Sequence, residues 1–240
     1  MKTNWFTSWF NTPYYHILYK DRNDADAQLF MQNLTRFLNL DKQAHILDMP
    51  CGKGRHSIFL NSLGFKVTGG DLSENSIAYA KQFENNRLHF EVYDMRKPFV
   101  NSYDVIFNLF TSFGYFDDDN DDILVLQNFK NSLAKNGTIV LDFLNVEKLK
   151  KSLVTKETKT IDNIDFYIER EITNGFIVKH ISFFADNQQH FYTERVKYLT
   201  LEKFESYFKK VGLQLQHVFG DYTLSNFDSA SSNRLILVLK

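Results

Sequence analysis

Apolar residues fall into two alternating rhythms along the first 145 positions. Residues 24 to 40, DADAQLFMQNLTRFLNL, place Leu29, Phe30, Leu34, Phe37 and Leu38 at the three-and-four spacing of an amphipathic helix, with Asp24 or Asp26 able to cap its start. AHILDMPCGKGRHSIFLNSLGF follows as an apolar run, a glycine-bearing turn, and then Ile58, Phe59, Leu60 and Leu63 at helical spacing before Gly64. That reads as strand, glycine loop and helix, closed by a C-terminal glycine. The rhythm then repeats: a strand at 65–70, a helix at about 74–84, strands at 88–93 and 103–109, a helix at about 120–134, and a strand at 137–143. Alternation of this kind predicts a parallel sheet with helices on both faces.

Past Asn145 the texture changes. KLKKSLVTKETKTIDN is lysine-rich and weakly patterned, and reads as a solvated loop. Residues 164–173 then alternate through Ile164, Phe166, Ile168, Arg170 and Ile172, followed by Asn174-Gly175 and a second strand-like run at 176–184. Asn-Gly between two alternating runs signals a hairpin. A further turn at Asp186 to Gln189 leads into HFYTERVKYLT, so three antiparallel strands are expected. A helix at 201–211, capped by Thr200 and stopped by Gly212, precedes LQLQHVFG and RLILVLK, which should complete the main sheet. The division expected is an N-terminal segment at 1–44, an α/β core at 45–145, a β-meander insertion at 146–199, and a final helix and hairpin at 200–240.

Composition narrows the classes without choosing one. The 240 residues are 43% hydrophobic and include 24 Phe, 12 Tyr and 2 Trp but only 10 Gly and 3 Pro, so a sizeable core forms and disorder is excluded as the dominant state. A net charge of -1 gives no global reason to expect nucleic acid. Cys51 is the one cysteine, which rules out an intrachain disulfide and a cysteine-based zinc site and fits a reducing cytoplasm. No apolar stretch approaches the ~20 residues of a membrane span, so a soluble cytoplasmic protein is expected.

Three strand tips carry the candidate chemistry. Asp48 ends the first strand, and the turn behind it holds Gly52 and Gly54, letting backbone approach a ligand closely before the helix N-terminus. An ordinary tight βα turn would look the same. Val67-Thr68-Gly69-Gly70-Asp71 ends the second strand in a carboxylate 17 residues beyond Gly54, placed to accept both hydroxyls of an adenosine ribose. Asp71 could equally cap the next helix, with Ser73 as competitor. Val92-Tyr93-Asp94-Met95 ends the third strand in an acid that can accept from an adenine amino group while the thioether packs on the ring. Together the three outline a nucleoside-shaped site at the edge where open α/β sheets bind ligands.

ILDMPCGKGRHS, VTGGDLS, DMR and YDVIFNLFTSFGYF resemble, in that order, the motifs of the class I S-adenosylmethionine-dependent methyltransferases, and in particular bacterial members of small-molecule type. The resemblance spans nearly the whole chain and is strongest from 46 to 145. It implies an α/β, doubly wound, mostly parallel seven-stranded Rossmann-like sheet whose last strand runs antiparallel, with an N-terminal helical lid and an antiparallel β insertion. It implies S-adenosyl-L-methionine as cofactor and methyl transfer by in-line displacement to a small-molecule or other soluble acceptor. Asp48 would orient the loop and the cofactor's amino group, Gly52 and Gly54 would permit close approach, Asp71 with Leu72 would take the ribose, and Asp94 and Met95 the adenine. Asn108 and Leu109 would flank the methionine portion. Pro50 stands where the family has a glycine, so that position offers only its carbonyl.

Methyl transfer needs alignment and, for some acceptors, a base. Candidate bases are His56, in the first turn after the glycine loop, Tyr115, and further along Asp142 and Asn145. His56 could instead simply hydrogen-bond the loop, and Tyr115 could simply pack. The segment after the fourth strand lacks the Asn/Asp-Pro-Pro-aromatic motif of base methylation, so no nucleic acid partner is expected, nor a membrane. The acid run Asp117, Asp118, Asp119, Asp121 and Asp122 reads as a solvated helix cap rather than a metal site. Trp5, Trp9, Phe10, Tyr14, Tyr15 and Tyr19 make the N-terminus too aromatic for a loose tail; Tyr15, Tyr19 and Arg22 are candidate cofactor lids, Arg22 answering the methionine carboxylate. Plain packing on the core is the alternative. A monomer or homodimer is expected. Two other functions stay open: a nicotinamide-dependent oxidoreductase, against which Ser57 stands where a third glycine or alanine belongs, and a non-catalytic nucleoside-binding protein.

Overall fold

The structure, a computed structural model, describes residues 5–20 and 24–240. Helices α1 (Trp5–Phe10), α2 (Pro13–Leu18) and α3 (Asp24–Phe37) lead into β1 (His45–Asp48), α4 (Arg55–Ser62), β2 (Lys66–Asp71), α5 (Glu74–Ala80), β3 (Leu88–Val92), β4 (Tyr103–Asn108), α6 (Asp119–Asn131) and β5 (Leu133–Leu144). After α7 (Val146–Lys151) come β6 (Lys156–Ile161), β7 (Ile164–Thr173), β8 (Phe176–Ala185) and β9 (Gln188–Lys197), then α8 (Leu201–Val211), β10 (Leu215–Phe219) and β11 (Arg234–Leu239).

The main sheet has the order β10-β11-β5-β4-β1-β2-β3. Strands β1 to β5 pair in parallel, and β11 alone runs against its neighbours, inserted between β5 and β10. Because successive side chains point to opposite faces, strands apolar at nearly every position need cover on both sides. Ile46, Val105 and Val140 meet Phe30, Leu34, Leu60 and Ile77 of α3, α4 and α5 on one face. Leu47, Ile106 and Leu141 meet Val125 and Phe129 of α6 and Phe204, Phe208 and Val211 of α8 on the other. Each such side chain, fully buried, contributes about 1.5–3 kcal/mol, which holds α8 in place despite its exposed Glu and Lys residues. Thr200 caps α8 by accepting from Lys203 N, and Gly212 stops it with φ 68, as its sequence indicates.

Gly54 serves this packing. A side chain there would start 2.6 Å from the Phe90 ring and 3.2 Å from the Ala80 Cβ, and its φ of +79 already favours glycine. The residue is therefore a helix-to-sheet contact.

Beyond Asn145 the structure corrects the sequence reading twice. The lysine-rich segment expected as a loop forms α7 and the edge strand β6, and the meander has four antiparallel strands, order β6-β7-β8-β9, where three were expected. β6 hides from a periodicity search because it is mostly exposed, and its lysines are how an open sheet edge resists pairing with another chain. All three hairpins turn through paired positive-φ residues, Asp162-Asn163, Asn174-Gly175 and Asp186-Asn187. The first of these, Asp162-Asn163, is a local turn signal between β6 and β7.

The acid run is also not merely a solvated cap. Asp118 does cap α6 by accepting from Asn120 N. Asp122, however, is fully buried, and takes the Lys197 ammonium at 2.6 Å while Asp119 takes it at 2.8 Å. Lys197 ends β9, and its backbone N–H donates to Gly114 O, so this buried pair joins the meander to α6 and to the loop after β4. Among the described residues no His, Cys, Asp and Glu cluster able to hold a metal is found, and no helix is long and apolar enough to cross a membrane.

Candidate active site

A cavity of about 350 Å³ opens at the carboxyl ends of β1, β2, β3 and β4, roofed by α1 and α2. Asp48, Pro50, Gly52, His56, Asp71, Leu72, Asp94, Met95, Leu109, Tyr115, Tyr15 and Tyr19 all line it. Gly54, Asn108, Asp142 and Asn145 do not. Arg22 lies outside the described residues.

The loop after β1 is held from the next strand. Cys51 N donates to Gly70 O at 2.8 Å, and Gly52 N donates to Asp71 Oδ2 at 2.8 Å. Asp71 Oδ1 accepts from Ser73 N, also at 2.8 Å, so each carboxylate oxygen holds one backbone amide. The Leu72 amide is a further backbone partner, so of the about four acceptor sites of an ionised carboxylate three are in use. Burial raises the Asp71 carboxyl above the usual range, with the Ser73 and Gly52 amides opposing. A Cβ built on Gly52 meets nothing within 4 Å. Gly52 therefore turns an open backbone face to the cavity, the role sequence reasoning gave to both glycines.

Asp48 is 2% exposed, and its Oδ2 accepts from the Ser57 hydroxyl at 2.5 Å. Ser57, which broke the dinucleotide pattern, is the partner of the first strand's acid. Burial pushes Asp48 up to about 7; the Ser57 hydroxyl and amide work against this and the Asp71 charge adds to it. In an unfolded chain the same carboxyl titrates near ~3.9. Between these values the native state keeps a proton that the unfolded chain has released. The stability so contributed is whole below pH ~4 and is lost as pH rises through about 7. Urea unfolding of the ligand-free protein should show stability falling as pH rises from about 5 to about 7.5, with a flatter profile for Asp48→Asn. An equally steep profile in that variant would contradict the assignment to Asp48.

Asp94 is clasped by its neighbour. Arg96 donates from Nε to Oδ1 at 3.0 Å and from Nη2 to Oδ2 at 2.6 Å, and its backbone N–H donates to Oδ1. Partial burial would raise this carboxyl, but the guanidinium holds it below the usual range, so it stays an anionic acceptor. Sequence reasoning had the residue and missed its clamp, which lay two positions along in the same DMR motif.

The far wall is the loop after β4. Phe110 and Thr111 have φ of 59 and 63, a left-handed conformation costly for a β-branched residue. Asp142 enforces it: its side chain is fully buried, Oδ2 accepts from Phe110 N at 2.8 Å, and its backbone carbonyl accepts from Thr111 N at 2.9 Å. Arg234 completes the clamp by donating from Nε to Asp142 Oδ1 at 2.7 Å and from Nη2 to Thr111 Oγ1 at 2.9 Å. Asn108 braces the same loop, with Nδ2 donating to Met49 O at 2.9 Å and Ser112 O at 3.3 Å, while its Oδ1 is buried with no protein partner. Asn145 caps α7 and ties the segment before β11 by donating to Ser229 O and Ser232 O. Asp142 and Asn145 thus shape the wall from behind.

His56 and Tyr115 sit on this wall with their polar atoms in hydrogen-bonding contact. His56 stacks on Phe110 with centroids 4.4 Å apart, and its Nε2 lies 3.1 Å from Arg55 Nη2. A guanidinium only donates, so Nε2 is the acceptor and its lone pair is engaged. The Tyr115 hydroxyl donates to Thr111 O at 2.6 Å, and its ring packs among Trp5, Phe6 and Phe10. Phe6, Phe10 and Phe116 also line the cavity, Phe116 under the Arg96 guanidinium at 4.8 Å.

A family model described as a methyltransferase domain matches residues 40–210. The Bacillus subtilis protein named putative methyltransferase YqeM is 28% identical over 208 residues, covering 82% of this chain and 84% of that protein. A crystal structure described as an S-adenosylmethionine-dependent methyltransferase from Clostridium acetobutylicum superposes with a TM-score of 0.80 at 20% identity over 95% of both chains. The sugar N-methyltransferase KedS8 from Streptoalloteichus superposes with a TM-score of 0.73 at 14% identity over 94% of this chain and 91% of that one. At these identities the two structures show the fold.

Proposed function

The chain belongs to the methyltransferase-domain family, and on that premise we propose that it is an S-adenosylmethionine-dependent methyltransferase acting on a small-molecule acceptor. Three carboxylates carry this reading: Asp48, Asp71 and Asp94, at the tips of the adjacent parallel strands β1, β2 and β3, converge on one cavity. The residues present fit a nucleoside cofactor. Gly52 leaves its face open, and Asp71 and Asp94 both line the cavity with carboxylates able to accept from a nucleoside.

When bound, the cofactor supplies an electrophilic methyl group on a sulfonium. The chain's own work is then placement and exclusion of water. Asp71 would hold the ribose hydroxyls, Asp94 and Met95 the adenine, and Asp48 would steady the loop and face a cationic amino group. Phe6, Phe10, Phe110 and Tyr115 would wall off the reacting carbon, with His56 and Tyr115 orienting the acceptor. Because neither offers an obvious site for a proton, acceptors that are nucleophilic once neutral, such as amines, are favoured. The fold shared with a sugar N-methyltransferase supports a small acceptor of this kind.

The test is release of demethylated cofactor from a panel of amines, amino sugars, phenols, thiols and carboxylates, beside DNA, RNA and protein. Turnover with a small molecule is expected. Turnover confined to macromolecules would overturn the acceptor class.

A further inference from the structure

Among the described residues, strands β6 to β9 contribute nothing to the cavity wall. They reach it at second hand. Lys179 on β8 and Glu194 on β9 are direct cross-strand partners on the face covered by α1 and α2. Glu194 Oε1 accepts the indole N–H of Trp9, on α1, at 2.7 Å. The Tyr19 hydroxyl, one residue past α2, lies 2.7 Å from both oxygens of the same carboxylate and donates to it. The Lys179 ammonium donates to that hydroxyl, stands 3.4 Å from Glu194 Oε2, and sits 4.6 Å above the Tyr19 ring.

One carboxylate therefore fastens both N-terminal helices. Tyr19 and Phe10, next to Trp9, are cavity residues, so the fastening lies directly behind the roof. Trp9 is fully buried, and Glu194 and Lys179 are 20% and 15% exposed. Hydrogen bonds to an ionised acceptor in such a setting are roughly twice as strong as neutral ones, and less weakened by water than surface pairs.

We propose that Glu194 and Lys179 are positioning residues that hold the two N-terminal helices shut over the cofactor, so that the meander sets how long the cofactor stays without touching it. This rests on the cofactor assignment above.

The chain's two tryptophans, Trp5 and Trp9, both lie in α1, so indole fluorescence reports on this roof alone. Stopped-flow release of S-adenosylhomocysteine, read by that fluorescence, is expected to be about tenfold faster or more in Glu194→Ala. Glu194→Gln, whose amide oxygen still accepts, should fall between, and Tyr19→Phe should speed release about threefold or more while leaving the Lys179–Glu194 pair in place. Urea midpoints measured alongside separate this from a structural role, which would lower the midpoint and leave release at the wild-type rate. Should Glu194→Ala not fold, Glu194→Gln and Tyr19→Phe carry the test. Release within twofold of wild type in every folded variant overturns the latch. A wild-type protein that binds no S-adenosylhomocysteine contradicts the cofactor assignment instead.

Discussion

Arg234→Met is expected to destabilise the protein by about 3–5 kcal/mol at neutral pH, because it leaves the Asp142 carboxylate buried without its cation. Asp142 is fully buried in its side chain, and Arg234 Nε is its partner at 2.7 Å. The bond from Arg234 to Thr111 Oγ1 is lost as well, and with it part of what holds Phe110 and Thr111 in their left-handed turn. The variant's deficit should shrink as pH is lowered, because burial favours the protonated Asp142 carboxyl once its cation is gone. Adding Asp142→Asn to Arg234→Met should recover part of the loss, since the amide removes the charge and its oxygen can still accept from Phe110 N. Urea unfolding at two pH values measures all of this. A loss under about 1 kcal/mol at neutral pH would mean that the clamp does not hold the loop.

Asp71→Ala is expected to weaken S-adenosylhomocysteine binding by about 2–4 kcal/mol, the value of one or two charge-assisted hydrogen bonds together with a loosened loop. The residue does two jobs at once. Its Oδ2 fixes Gly52 N, and the residue lines the cavity. Stability should move less than affinity, because removing a buried carboxylate also removes a desolvation penalty. Isothermal titration of the folded variant reads the affinity directly. An unchanged affinity would take Asp71 out of the site.

Much of this was legible because local pattern and tertiary role coincide. Strand tips ending in Asp48, Asp71 and Asp94 are visible as apolar runs closed by an acid, and their meeting follows from β1, β2 and β3 being neighbours in a parallel sheet. The bounds of α8 follow from Thr200 and Gly212, whose chemistry is local. What stayed hidden depends on pairs far apart in the chain. Arg234 belongs to the site wall through Asp142, 92 positions away, and through Thr111, and nothing in RLILVLK announces either. Lys197 looks like any strand-end lysine until Asp119 and Asp122 enclose it. Gly52 and Gly54 are indistinguishable in sequence, yet one faces open space and the other Phe90, a difference set by side chains packed from β3. The N-terminal aromatics were expected over the site or on the core. They do roof it, with Trp9, Tyr14 and Leu18 seated on the meander beside Phe166 and Phe183.

The central claim is that the three carboxylates and the open glycine form an S-adenosylmethionine site. Calorimetric titration of the intact protein with S-adenosylhomocysteine, beside NAD under the same conditions, tests it most directly. Binding of S-adenosylhomocysteine at about micromolar affinity, near -8 kcal/mol, with no comparable heat from NAD is expected. Folded protein that binds no S-adenosylhomocysteine, or binds NAD as tightly, would contradict it.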